Sequence, residues 1–373
     1  MRAKPLLLFA LLIATIMLIA ACGGNSDSGN TNEGENTGSN NSANTGNTNE
    51  ENTGDEQDAD GNGGGGNYAV AIGPAGSATQ SATQLILEAY GIEEGDYEAF
   101  QEGFGDAANQ MQDQIIDISF GLLGLPAGSV NELHASTGDA KMISLSDEAL
   151  DYIEENSDYQ RYTIPADSYD FMEEDAQTIT AYAVLVGNTN TIDEELGYEL
   201  ARIMVEHAEE NTHEQSNHMT LENALNGAEG LPLHPGAAKY YEEQGLLSGD
   251  EEIAEVTADA AARKTDLILG TGSEGGTYYP LGGEMANVWN NHLDGVTVTN
   301  TATGASVENL ADIRDGQQDL GMTVHIPALQ ALAGEGDFEG APVENFAFIG
   351  HIYPEVMQIV TRESTGIESL DDL

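Results

Sequence analysis

Two glycine- and hydroxyl-rich stretches are the parts of this sequence whose residue types and spacing could do chemistry. In Leu267–Thr277 (LILGTGSEGGT), Gly270, Gly272 and Gly275 spell G-x-G-x-x-G after a strand-like run and before a helical one. Such a loop lets backbone amides approach an anion at a helix N-terminus, and in a dinucleotide fold that anion is a pyrophosphate. The nucleotide reading is weakened by the next apolar run, Val296–Asn300, which ends in no acidic residue to hold a ribose. A loop that holds another small anion or polar ligand is the stronger expectation. Ser77-Ala78-Thr79 and Ser306 stand at two further helix starts. Their hydroxyls suit either an N-cap or a ligand carboxylate, and the two roles are compatible.

Other constellations are weaker. His213 and His218 are five residues apart, which does not place two imidazoles on one helical face, so no metal site is expected there. Asp58, Asp60 and Asn62 alternate like the start of a calcium loop, but Ala69 stands where the closing Glu should be. No Ser, His and Asp fall in a hydrolase context such as G-x-S-x-G, so nothing demands catalysis, and no cofactor is implied.

The elements that must position these residues alternate. Strands are expected at Tyr68–Ile72, Asp117–Leu122, 181–186, 266–269, 296–300, Leu320–Val324, 346–350 and 356–361. Helices fit 78–90, 147–157, 193–210, 282–291 and 307–315, the first carrying Ala82, Leu85, Ile86 and Ala89 as a core-facing stripe. The helix at 282–291 is expected to begin late, after Tyr278-Tyr279-Pro280. The pattern is an α/β fold. Two domains are expected: a small one, 68–172, and a large one, 173–373, whose last residues return to the small domain. An acidic, exposed connector over 248–264 interrupts the large one.

The chain has 373 residues with 10 Lys+Arg against 65 Asp+Glu, a formal charge of −55. That balance excludes binding nucleic acid by phosphate neutralisation and adhesion to anionic membranes through basic patches. It suits a surface working in high salt or at high external pH. The N-terminus reads as an address. Arg2 and Lys4 precede an apolar run from Leu6 to Ala21, about 16 residues, short of the roughly 20 a membrane span needs. Residues 1–21 are therefore expected to be a signal peptide, and 22–67, almost wholly Gly, Asn, Ser, Thr, Glu and Asp, an unstructured tether.

Ile19-Ala20-Ala21-Cys22 resembles the bacterial lipobox, which implies lipidation of Cys22, the single cysteine, and an extracytoplasmic protein held to the membrane by its lipid alone. Gly272–Gly283 (GSEGGTYYPLGG), Ala302–Leu310 (ATGASVENL) and Tyr353–Val360 (YPEVMQIV) resemble successive signatures of TAXI-type solute receptors, the binding subunits of tripartite TRAP transporters. Gly76-Ser-Ala-Thr79 resembles a later motif with Ala78 in place of a glycine, and Phe120–Pro126, Thr163–Ala166 and Leu231–Tyr241 continue the pattern. Residues 68–247 thus resemble the second part of the family and 265–373 the first, a circularly permuted order.

The resemblance implies a type II periplasmic-binding-protein-like fold, with two α/β domains closing on a ligand cleft about strands at 173–180 and Thr361–Ser364. It implies a receptor without enzymatic activity, TRAP permease subunits as partners, and a small carboxylate such as glutamate or a dicarboxylate as solute. A ligand-sensing module for a signalling partner, or an exported α/β enzyme, are the alternatives. The ligand-binding residues expected are Gly272, Ser273, Gly275, Gly276, Thr277, Tyr278, Tyr279, Ser306, Thr323, His325, Ser77, Thr79, Gly124 and Arg161. Arg161 is the candidate cation, with a surface ion pair as its equal alternative.

Overall fold

The computed structural model describes residues 68–373. The expected signal, Cys22 and the tether, with its Asp58, Asp60 and Asn62, lie outside the described residues.

Two parallel triplets organise the sheet. In the small lobe, β1 (Ala69–Ala71) lies between β2 (Glu98–Phe100) and β3 (Ile118–Leu123). In the large lobe, β7 (Asp266–Gly270) lies between β8 (Thr297–Thr301) and β9 (Leu320–Val324). A first strand flanked by the second and third makes a topological switch point, and such folds bind ligands beyond the C-terminal ends of the strands there. The α/β class expected from the sequence is observed.

Two long antiparallel strands join the triplets: β6 (Ala176–Asn188) and β10 (Phe346–Arg362). β6 pairs with β5 (Gln160–Ile164) through Thr180 and with β9 from Ala183 onward. β10 pairs with β6 as far as Val356, then with β3 from Val356 to Thr361, and finally with β4 (Ala140–Met142). The crossing between lobes therefore lies near Ala181–Ala183 and Tyr353–Val356, not at Thr361–Ser364. The two strands expected at 346–350 and 356–361 are one. Pro354 suggested a break, since proline cannot donate to a ladder. β10 tolerates it because the strand changes neighbours there, with register shifts just before it between Phe348 and Gly350 and between His351 and Tyr353.

Helices cover both faces. α1 (Ala78–Ala89) is capped by Ser77, whose Oγ accepts from the Gln80 amide, and it buries Ala82 and Ile86 completely. α7 (Tyr278–His292) begins four residues earlier than expected: Pro280 sits in its first turn, where the missing N–H costs nothing. The remaining helices are α2 (Phe104–Gln112), α3 (Gly128–Thr137), α4 (Asp147–Asn156), α5 (Glu194–Glu206), α6 (Pro235–Glu243), α8 (Ser306–Arg314) and α9 (His325–Ala333). Ile86, Ile118 and Phe120 centre the small-lobe core, and Trp289, Tyr240 and Tyr353 the large-lobe core.

The connector is exposed in most of its side chains, as expected, yet its backbone is laid along the large lobe. Leu233 N donates to Glu252 O at 2.7 Å and Ala254 N to Leu233 O at 2.9 Å. Arg263 forks onto the buried Asp193 at 2.7 and 2.8 Å, and Lys264 reaches the buried Asp319 at 2.8 Å.

Candidate functional site

The C-terminal ends of β1, β3, β7 and β9 converge on one cleft between the lobes. Ser77, Ala78 and Thr79 from α1, with Leu122 and Leu123 from β3, line its small-lobe side. Gly272, Ser273, Gly276, Thr277, Tyr278 and Ser306 line its large-lobe side, and Tyr353 and Glu355 of β10 form its floor. The water-accessible volume is about 30 Å³, room for two or three waters and less than a small solute needs, so the lobes must part further to admit one.

Closure is built from contacts across the cleft. Gly124 N donates to Thr277 Oγ1 at 3.0 Å, and Val307 N donates to Gly76 O at 3.0 Å. Gly275 lies so close to Gly105 of α2 that a Cβ placed on it would stand 2.2 Å from the Gly105 nitrogen. Gly304 is equally confined, its would-be Cβ 2.3 Å from Ala75 O.

Of the expected ligand residues, the structure brings Gly272, Ser273, Gly276, Thr277, Tyr278, Ser306, Ser77 and Thr79 together at the cleft. Most of their hydroxyls already serve the backbone. Thr79 Oγ1 accepts from Leu122 N at 3.1 Å, and Ser306 Oγ accepts from Val324 N at 3.0 Å. Ser306 is thus not an N-cap; α8 begins on Ala305, which holds φ +77, a conformation costly for a side-chain-bearing residue. Ser273 Oγ and Tyr278 Oη are different: Ser273 Oγ is buried without a hydrogen-bond partner, and Tyr278 Oη is buried beside Glu355 and Ser306 but outside hydrogen-bonding geometry. The amides of a helix's first turn have no intrahelical partner, and Ala78, Thr79 and Tyr278 present three such residues at the wall.

The other expected residues lie elsewhere. Gly275 and Gly124 pack the lobes together. Tyr279 is absent from the wall, and its carbonyl accepts from Asn300 Nδ2 at 2.9 Å. Thr323 is fully buried on β9, its Oγ1 bonded to the Val324 carbonyl at 3.1 Å. His325 accepts from Tyr182 N through Nδ1 at 3.2 Å, and burial lowers its pKa. Arg161 is held on the small-lobe surface by Asp147, Asp151 and Glu154, the ion-pair alternative rather than the cationic helper.

Glu355 is the residue that sequence reasoning missed. It is 3% exposed, and Tyr353 Oη donates to its Oε1 at 3.0 Å. Burial pushes its carboxyl up to about 8, while the tyrosine hydroxyls at Tyr278 and Tyr353 work in the opposite direction. Among the described residues that line this cleft there is no Lys, Arg or His. The signal was present: Glu355 is the lone charged residue in a largely apolar stretch from Tyr353 to Val360, which is not the setting of a solvated carboxylate. Among 65 acidic residues it did not stand out.

A sequence profile of the NMT1-like family matches residues 48–245 and 269–373. Among solved structures, a binding protein of a phosphonate ABC transporter from Pseudomonas aeruginosa is 10% identical, with a TM-score of 0.36 over 79% of this chain and 68% of the other. A phosphate-binding protein of an ABC transporter from Streptococcus pneumoniae is 13% identical, with a TM-score of 0.35 over 82% of this chain and 92% of the other. An ancestral arginine-binding protein bound to arginine is 11% identical, with a TM-score of 0.35 over 83% and 91%. Similarity at this level does not decide the ligand.

Proposed function

The chain belongs to the NMT1-like family, and from that premise and the cleft we propose a solute receptor that captures a small zwitterion of the amino-acid class. The carrying observation is Glu355, a buried carboxyl that shares one cleft with first-turn residues of α1 and α7 and with the hydroxyls of Ser273 and Tyr278. An ammonium group beside Glu355 gives the carboxyl a reason to ionise, while the solute's carboxylate takes the amides of α1 and α7 and the hydroxyls of Ser273 and Tyr278. A dicarboxylate fits less well, because its second carboxylate would meet Glu355 with no cationic side chain on the wall to offset it.

The receptor reading extends to a TRAP-type system with TAXI-like permuted order. The signature stretches support it, as does the packing of Tyr68 and Leu373 against the same small-lobe core, since the two ends would be joined in the unpermuted order. Cys22 anchors the protein outside the cell membrane on this reading, and permease subunits receive the solute.

Calorimetry near neutral pH, in two buffers of different ionisation enthalpy, tests the ligand class with L-glutamate, L-alanine and succinate as probes. Expected are binding of an amino acid at least about tenfold tighter than succinate, and release of a proton on binding. Equal affinity for succinate, or binding without proton release, would overturn the zwitterion reading.

A further inference from the structure

The large lobe carries a second constellation, far from the cleft. His207 caps the C-terminus of α5, Glu210 ends the single turn that follows it, and His292 is the last residue of α7. The backbone fixes the first two: His207 N donates to Ile203 O and Glu210 N donates to His207 O, both at 3.0 Å. The third is fixed by packing of α7 on α5, where Trp289 Nε1 donates to Leu200 O at 3.1 Å. Glu210 Oε1 lies 2.8 Å from His207 Nδ1 and 2.9 Å from His292 Nε2. The two imidazoles stack with centroids 3.7 Å apart. One donor atom from each residue falls within 4.8 Å of the others.

We propose that His207, Glu210 and His292 form a binding site for a divalent transition cation of the Zn²⁺ type, which ties the end of α5 to the end of α7. Two imidazole nitrogens and one carboxylate oxygen are a donor set that zinc favours, whereas calcium and magnesium prefer all-oxygen sites. Bonds of about 2.0–2.2 Å to a tetrahedral ion set donor atoms roughly 3.4 Å apart, so shifts of about half an ångström convert the hydrogen-bonded triad into a coordination shell. The ion replaces the protons that now bridge the imidazoles to Glu210. The three side chains are 26%, 41% and 28% exposed, which leaves the remaining coordination positions to water.

His213 and His218, the pair that the sequence offers first, are not part of it: His213 instead caps a short turn by accepting from Gln215 N at 3.2 Å. The site joins positions 82 residues apart in sequence, which is why spacing could not reveal it. At the other end of this 15-residue helix, Tyr278 lines the solute cleft. The cation therefore acts as a clamp between helices and not as part of the solute site.

The experiment titrates the protein with Zn²⁺ in a large excess of Mg²⁺, which occupies the nonspecific acidic surface, with calorimetry and thermal melting as readouts. One Zn²⁺ per chain and a rise in melting temperature are expected. Affinity should fall at least about a hundredfold in His292→Ala and in His207→Ala, and stay unchanged in His213→Ala. Should either alanine variant melt early without metal, His292→Gln keeps the ring's polarity and volume closer to native and gives the same reading. A single Zn²⁺ that still binds His292→Ala or His292→Gln with native affinity, or Zn²⁺ binding that Mg²⁺ abolishes, would overturn the assignment.

Discussion

The amide of Val307 donates to the carbonyl of Gly76 at 3.0 Å, which joins the first turn of α8 in the large lobe to the loop before α1 in the small lobe. A helix terminus expected to face a solute anion is thus occupied, when the lobes are closed, by the opposing backbone. Of the helix ends at the cleft, α1 and α7 remain for the solute. The approach of the lobes depends on main-chain contacts that admit no side chain, at Gly275 against Gly105 and Gly304 against Ala75.

Gly275→Ala tests whether solute binding depends on the close approach of the lobes at this point. Its Cβ would stand 2.2 Å from a backbone nitrogen of the other lobe, and backbone cannot rotate away as a side chain does. The variant should fold normally with the lobes held apart. Solute affinity should fall about tenfold or more by calorimetry, with the melting temperature of the ligand-free protein nearly unchanged. Native affinity in this variant would show that binding does not need this contact.

Glu355 makes a prediction about pH. Its carboxyl is pushed from 4.5 up to about 8 in the folded protein. Between those values the folded chain keeps a proton that the unfolded chain has lost, so its contribution to stability is full below about 4.5 and is lost as pH rises through about 8. The slope is at most about 1.4 kcal/mol per pH unit. Glu355→Gln does not titrate and removes this component. Urea unfolding of both proteins at about pH 5 and pH 8 should show the native protein losing at least about 2 kcal/mol relative to the variant. Parallel curves would contradict it.

Asp193 makes a third. Its side chain is almost fully buried, caps α5 by accepting from Leu196 N at 3.1 Å, and holds the Arg263 fork. Burial works against its charge, but Arg263 and the cap amide outweigh that and leave its pKa lowered. Asp193→Ala removes the cap and leaves Arg263 with only the exposed Glu195, at a cost of about 2–3 kcal/mol. Arg263→Ala should instead cost more at neutral pH than at about pH 3, because protonation of Asp193 relieves the unpaired carboxylate. Chemical denaturation reads both. A loss under about 0.5 kcal/mol in Asp193→Ala would mean that the connector is not docked through this pair.

Much of the fold was legible in the sequence, because β1, β3, β7 and β9 are short, largely apolar runs and β8 alternates β-branched residues, with glycine or proline turns nearby. The glycine loop and Ser77 also announced the cleft, since loops after parallel strands are where such folds bind. What escaped depends on tertiary context. Pro354 reads as a strand end until β10 is seen to change partners there. Tyr279 and Thr323 neighbour the cleft in sequence yet point into other packing, and Arg161 is claimed by three carboxylates before any solute. Glu355 and the His207–Glu210–His292 triad carry ordinary residue types, and only burial or proximity across the fold distinguishes them.

Tyr353 and Glu355 belong to β10 at the place where the strand leaves one lobe for the other. Both links between the lobes, β6 and β10, are hydrogen-bonded to each other along this stretch, so they twist as one ribbon rather than bending as two independent tethers. On the proposed receptor reading, a solute seated on Glu355 would press on the pivot itself. Occupancy would then be converted to torsion without a relay through loops, and a partner that feels only the angle between the lobes would learn whether the cleft is filled.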